Sequence, residues 1–379
     1  MRSALIQNPV IRFLASIKLT VVCLVFLFIL VFWGTVYQTE YGLYLAQERF
    51  FQSFVILIQN VIPFPGGQLV MWVLFINLAL VAIFYLEYTW SKLGNIVAHF
   101  GLLLFFVAGF ATFHLCKDSA LTLYEQQSSN VSMSYQNWEL AVWTKEGVKR
   151  DVIAYNSDRF LSGETITFPE YGFNLRVETY YPNCNAYAKA IRTDSRTILN
   201  SSGIKSLRKL PFSKEPEKNF PGGTFIVQST QETSSKILLY GQDSNPTTLK
   251  LGEQTYYLSL RRQRFELPFT VKLLDFRMDV HPGTQMASRY ESEVDIQTPQ
   301  MSRRSVISMN NPLRYKDYTF YQSSYSIDQA GREISTLAVV KNTGRILPYV
   351  ASLTTFAGLV LHFGIAFGKA IQKKRNYDE

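Results

Sequence analysis

The chain has 379 residues and a formal net charge of +9, with 47% apolar and 18% charged residues. That length holds a membrane bundle plus one soluble domain of ordinary size. The apolar residues gather into a few long runs and the charges fill one long block, a distribution that excludes a uniform soluble globule. The three cysteines, Cys23, Cys116 and Cys184, form no CxxC pair. This excludes a thioredoxin-like redox site, a CxxCH haem attachment and a cysteine-rich zinc site, and leaves them as small buried or interfacial side chains.

A bilayer core is crossed by roughly 20 apolar residues of helix. Four uncharged runs meet that length, at 19–36, 69–86, 96–115 and 346–368. The first is long for a signal-peptide core and has no small-x-small cleavage site, so it reads as a span. Lys and Arg mark the cytoplasmic side of spans. Here Arg2, Arg12 and Lys18 precede span one, Lys92 sits between spans two and three, and Lys369, Lys373, Lys374 and Arg375 follow span four. All fall on one side if both termini are cytoplasmic, which puts the large block on the outer, periplasmic side of the inner membrane. The segment 50–65 is apolar but interrupted by Gln52, Ser53 and Gln59, and reads as a helix lying in the outer interface, ended by Pro63 and Pro65. The expected organisation is therefore a membrane region over 1–116, an extracytoplasmic domain over 117–345, and a fourth span with a basic tail over 346–379.

The outer block reads as strands. Phe173, Leu175 and Val177 alternate with polar neighbours, as do Phe269, Val271 and Leu273, then Phe276, Met278 and Val280, then Val294 and Ile296. A period of two with one polar face indicates antiparallel sheet with one side buried. The alternation changes parity at Leu274-Asp275, the signature of a β-bulge. Turns at His281-Pro282-Gly283 and Asn310-Asn311-Pro312 separate the runs, Thr193 to Gly223 reads as a long loop, and a last strand runs from Ser335 to Val340. The fold class is thus a four-span helical bundle carrying a β-rich, sandwich-like domain. That domain is mildly basic but has no basic helix or aromatic-interleaved patch, so no nucleic-acid partner is expected.

Three of the four histidines lie in or at spans: His99, His114 and His362. Ionisable groups inside a bilayer are costly and face the bundle interior. His99 follows Lys92 by seven residues and His362 precedes Lys369 by seven. If both lysines mark the same level, each imidazole lies about 10 Å inside it. Imidazoles at one depth on two helices suit the axial positions of haem iron. Phe100, Phe105, Phe106, Phe356 and Phe363 supply apolar faces, and Gly101, Gly358 and Gly364 supply room. The same residues are also compatible with a histidine that only hydrogen-bonds a neighbouring helix. His114 reads as an interfacial tip and His281 as a turn residue. No phosphate loop, GxSxG elbow, HExxH or paired catalytic carboxylate appears. The tryptophans at 33, 72, 90, 138 and 143 are scattered, so the chain carries no tryptophan-rich loop of its own.

With these residues the chain resembles the ResB/CcsB family of System II cytochrome c biogenesis. The matching stretches are Ser16-Ile17-Lys18-Leu19-Thr20, Gly34-Thr35-Val36-Tyr37-Gln38, His99-Phe100-Gly101, Ile307 through Leu313, Tyr321-Gln322-Ser323-Ser324-Tyr325, Leu347-Pro348-Tyr349 and His362-Phe363. The resemblance implies a subunit, not a lone enzyme. Its partner would be a CcsA-like membrane protein with a tryptophan-rich loop, and together they would carry haem (haem b) across the membrane for attachment to apocytochrome c. It further implies that His99 and His362 are the cofactor-binding residues, with His99 taking its second ligand from His362 or from the partner. A membrane scaffold that binds no haem is the other reading of the same sequence.

Overall fold

The computed structural model describes residues 7–59, 61–144, 151–188, 198–229, 235–283 and 287–378. Its contacts divide the chain into two compact units, Met1–Lys117 with Tyr315–Tyr318 and Val340–Glu379, and Asp118–Arg314 with Thr319–Val339.

In the first unit, four helices among the described residues are long and apolar enough to cross a membrane. These contain α1 (Ile17–Tyr41), α2 (Gly67–Leu80, which spans only together with the turn that follows it, Gly67–Tyr85), α3 (Leu93–Leu115) and α4 (Leu347–Asp378). They are apolar all round, as spans are and surface helices of soluble proteins are not. α1 begins where Ser16 Oγ accepts the Leu19 N–H at 3.2 Å, an N-cap, and ends at Gly42 with φ 86°, a conformation open to glycine. α2 runs on through a π-helical turn, Val81–Tyr85. α4 extends past the apolar run through Lys373, Lys374 and Arg375, because basic residues in the last turn favour the negative end of a helix dipole.

One polar side chain inside this unit is fully engaged. Asn77 is 4% exposed. Its Nδ2 donates to the carbonyls of Leu14 (2.6 Å) and Ser16 (3.1 Å), and its Oδ1 accepts from Thr20 Oγ1 at 2.8 Å. The Ser16–Thr20 stretch therefore has a packing role: it joins the start of α1 to α2.

The segment 50–65 corrects an expectation. It is not an interfacial helix but a hairpin, with strands Val55–Ile58 and Ile62–Pro65 paired antiparallel after a π-helical turn, Gln47–Phe51. Pro63 and Pro65 remove donors that a helix needs, and Val55, Ile56, Ile58, Val61 and Ile62 are β-branched, which favours strand.

The second unit is β-rich, as the alternation implies. A ten-stranded sheet and a five-stranded sheet are present among the described residues. Residues of both, including Leu140, Val142, Leu258 and Leu260 from one and Leu175, Val177, Phe225 and Ile237 from the other, form a single apolar cluster, the packing of a sandwich. The long strand Gln254–Val280 belongs to the larger sheet. Its pairing shifts between Leu273 and Asp275, so the parity change at Leu274 is a bulge. The expected loop over 193–223 is less irregular than its composition suggests. Short strands occupy Ile198–Leu199 and Ser206–Lys209, and Gly222 begins another, while residues 193–197 lie outside the described residues. None of Cys23, Cys116 and Cys184 is in a disulfide. Burial pushes the Cys184 thiol up to about 12, which suppresses the reactive thiolate.

Glu139 and Arg261 form an ion pair at 2.8 Å with side chains 6% and 19% exposed. Removing one partner of a buried pair leaves the other uncompensated. Glu139→Ala is expected to lower stability by about 3–5 kcal/mol, and Glu139→Met with Arg261→Met to recover most of it. Glu215→Ala, at an exposed pair, should change it by less than about 1 kcal/mol. Denaturation followed by the fluorescence of the neighbouring Trp138 and Trp143 checks all three.

Candidate functional site

The site is built on α3, whose packing is set by its small residues. Gly94, Ala98, Gly101 and Ala108 are its buried positions, spaced by four, three and seven residues so that they line one face of the helix. That face lies directly on α4. A Cβ placed on Gly94 would fall 2.1 Å from the His362 backbone nitrogen, one on Gly358 would fall 2.3 Å from the Ala98 nitrogen, and one on Gly101 would fall 2.6 Å from the Thr355 nitrogen. Each step up α3 is matched by an equal step down α4. The two helices form an antiparallel seam in which backbone meets backbone, the close approach that small residues permit in membranes.

This register corrects the depth assignment. His362 is level with Gly94, not with His99, which is five residues further along α3. At 1.5 Å per residue the two imidazoles are offset by about 7.5 Å along the helix axes. The reason is that Lys92 and Lys369 are not at the same level: α4 continues well beyond the point where it passes the start of α3. The seam also leaves no slot for a porphyrin between these two helices. His99 and His362 therefore stand at different levels of the two helices.

His99 itself is half-buried. Its Nδ1 lies 2.9 Å from the Asn95 carbonyl oxygen. A carbonyl accepts only, so Nδ1–H donates, and in the neutral ring Nε2 keeps its lone pair. A ring nitrogen anchored to a backbone carbonyl orients the other nitrogen as a metal ligand. His99 shares its stripe of α3 with Phe106 and Phe110, seven and eleven residues on. Those rings pack on α2, Phe106 against Phe75 with centroids 5.7 Å apart and Phe110 against Trp72 at 5.9 Å. Seven residues along α2 from Phe75 is Ala82, inside the π-helical turn that α3 touches. The Ala82 carbonyl accepts from the Tyr88 hydroxyl at 2.5 Å. Wide π-helical turns recur at functional sites. The candidate site is thus the α2–α3 side of His99, with this turn at its level and the aromatic pairs further along the same stripe, and not the α3–α4 side.

The other histidines are placed differently. His362 is exposed, its ring 5.5 Å from that of Phe363. His114 is exposed, its ring tilted against that of Phe110 at 4.3 Å and edge-on to that of Phe113 at 4.9 Å. His281 is exposed just after the long strand. Among the described residues no three His, Cys, Asp or Glu side chains gather where they would hold a metal ion, so what this site offers chemically is one imidazole. Sequence reasoning missed Trp72, Phe75 and the turn at Val81–Tyr85. The aromatic residues were visible, but a π-helical turn has no residue signature.

Comparison with known proteins adds family membership. The sequence profile of the ResB-like family matches residues 88–343, more than half of the chain. Protein NrfI of Wolinella succinogenes is 31% identical over 115 residues, which are 30% of this chain and 12% of that protein. The match thus takes in far less than two thirds of that relative's length.

The seam makes a prediction. Gly101→Leu and Gly358→Leu force the helices apart and are expected to destabilise by about 2 kcal/mol or more. Gly109→Leu and Gly364→Leu, whose added Cβ meets nothing within 4 Å, should shift stability by less than about 0.5 kcal/mol. Thermal unfolding in detergent separates the two pairs.

Proposed function

The chain belongs to the ResB-like family, and from that premise we propose that it serves cytochrome c biogenesis as the subunit that holds haem inside the membrane while a CcsA-like partner completes the site. The observation that carries this reading is the His99 hydrogen bond to the Asn95 carbonyl, which anchors one ring nitrogen and leaves the other to ligate. Haem is cargo in this reading. An imidazole ligand would hold its iron by coordination, and the apolar rings would take its flat faces.

One imidazole per chain makes the site half of a site. Because the seam separates His99 from His362 in level, the second axial ligand comes from the partner. His362 has another place in this reading. It stands exposed near the inner end of α4, where it meets haem on its way in or contacts the partner. Both termini are cytoplasmic, on the evidence of Lys18, Lys92 and the basic tail, and the β domain faces the outer side, where apocytochrome c is supplied. No acid, base or nucleophile in this chain is assigned a step.

The test is an absorption spectrum of the chain co-purified with its partner. Wild type is expected to show a Soret band. His99→Ala should reduce it about tenfold, with partial recovery on adding imidazole, as loss of an axial ligand requires. His362→Ala should retain about half or more. A well-folded complex without any Soret band, or one in which His99→Ala leaves the band intact, overturns the proposal and favours a scaffold that binds no haem.

A further inference from the structure

The hairpin Val55–Pro65 occupies a depth at which strands are not expected. Phe64 packs on Phe26 with centroids 5.6 Å apart and on Trp33 at 5.9 Å, and these two residues bracket the middle of α1. Ile56 is buried in one cluster with Cys23, Leu30, Val70 and Leu74. The base of the hairpin lies near Gly34, whose added Cβ would touch the Phe51 ring at 3.2 Å, so the strands descend along α1 from there. No charged residue occurs between Gln52 and Leu86. If α1 spans the bilayer, this hairpin lies within its hydrocarbon region.

A two-stranded sheet at that depth has open edges. The Gly66 N–H donates to the Phe54 carbonyl, which fixes the alternation. The pairs 56–64 and 58–62 exchange hydrogen bonds, and residues 55, 57, 63 and 65 turn their backbone groups outward. Pro63 and Pro65 have no N–H, so one edge presents carbonyls alone. The other presents both the N–H and the C=O of Val55 and Leu57. Among the described residues no third strand covers either edge. Around them Phe54, Val55, Leu57, Val61 and Ile62 are 49–78% exposed. Non-helical backbone is tolerated at membrane depth only where protein or a water-filled cavity covers it.

We propose that this edge is the docking site for a transmembrane helix of a partner membrane protein, one that carries hydrogen-bonding side chains at mid-span. A helix satisfies its own backbone, so the edge groups must be met by side chains such as Ser, Thr, Asn, Gln, Tyr or Trp. Lipid tails offer no donors or acceptors. A second copy of the chain fits poorly. Two copies in one membrane point the same way across it, and a twofold axis along its normal sets Val55 beside Val55, donor against donor. The proposal rests on the reading that the chain works in a membrane complex, but not on haem.

The experiment places a benzophenone amino acid at Leu57, and separately at the exposed α4 residue Phe356 as a control, in the complex with the CcsA-like partner. After illumination, Leu57 should cross-link to the partner at least about tenfold more than Phe356, on a membrane helix with a polar residue near its middle. Adducts to a second copy, to lipid alone or to a soluble loop, or equal yields at both positions, overturn the proposal. His99→Ala in the same background separates the two readings. If the cross-link persists while the Soret band is lost, docking stands and haem binding stands with it. If, with His99 intact, the band is present and the Leu57 cross-link is absent, docking alone fails.

Discussion

Inside a bilayer, backbone N–H and C=O groups have no water to bond with, and the membrane unit is organised around that shortage. Each departure from continuous helix is met by a specific compensation. The break between the short helix Pro9–Leu14 and α1 frees the carbonyl of Leu14, and the Asn77 amide takes it while also donating to the Ser16 carbonyl, which already accepts from the first turn of α1. The π-helical turn that ends α2 loosens the ladder at Ala82, and Tyr88 donates to that carbonyl. The hairpin removes two of its own donors by placing proline at 63 and 65. What is left over, the outward carbonyls of Pro63 and Pro65 and both backbone groups of Val55 and Leu57, has no strand paired to it among the described residues. An interaction surface is therefore implied by the same rule that explains the rest of the unit.

The seam between α3 and α4 bears on the site in an indirect way. Glycine at 94, 101 and 358 brings the helices so near that nothing lies between them. That closeness fixes the rotation of α3, because the small-residue face must point at α4. The stripe carrying His99, Phe106 and Phe110 is then committed to the α2 side. Small residues thus choose the histidine's surroundings without touching it.

Much of this was legible in the residues. Four spans were visible because hydropathy is a property of a window and survives any local detail. The β-bulge at Leu274 was visible because a one-residue insertion inverts the in–out alternation of everything after it. The hairpin is hidden in the sequence because an uncharged stretch of that length resembles an interfacial helix, and alternate prolines also fit the end of a helix. They are better understood as edge residues of a strand. The common depth of His99 and His362 was misread for a different reason. Counting from Lys92 and Lys369 supposes that basic residues mark one plane, whereas long side chains reach the interface from a range of depths. Only the packing of Gly94 on the His362 backbone reveals the offset. The composition of 193–223 pointed to a loop because serine, lysine and proline do not advertise short strands such as Ser206–Lys209.

A site that offers one ligand differs in kind from a site that offers two. Bis-imidazole coordination within a single chain would hold haem as a resident group, with both ligands tethered to the same pair of helices and release opposed by each. With the ligands divided between two proteins, movement of one helix bundle against the other breaks one bond while the other persists. Such an arrangement suits cargo that must enter on one side and leave on the other. Under the proposed function, the different levels of His99 and His362 suit delivery, and the hairpin edge proposed as a docking site would give the second protein a fixed place from which to reach the haem.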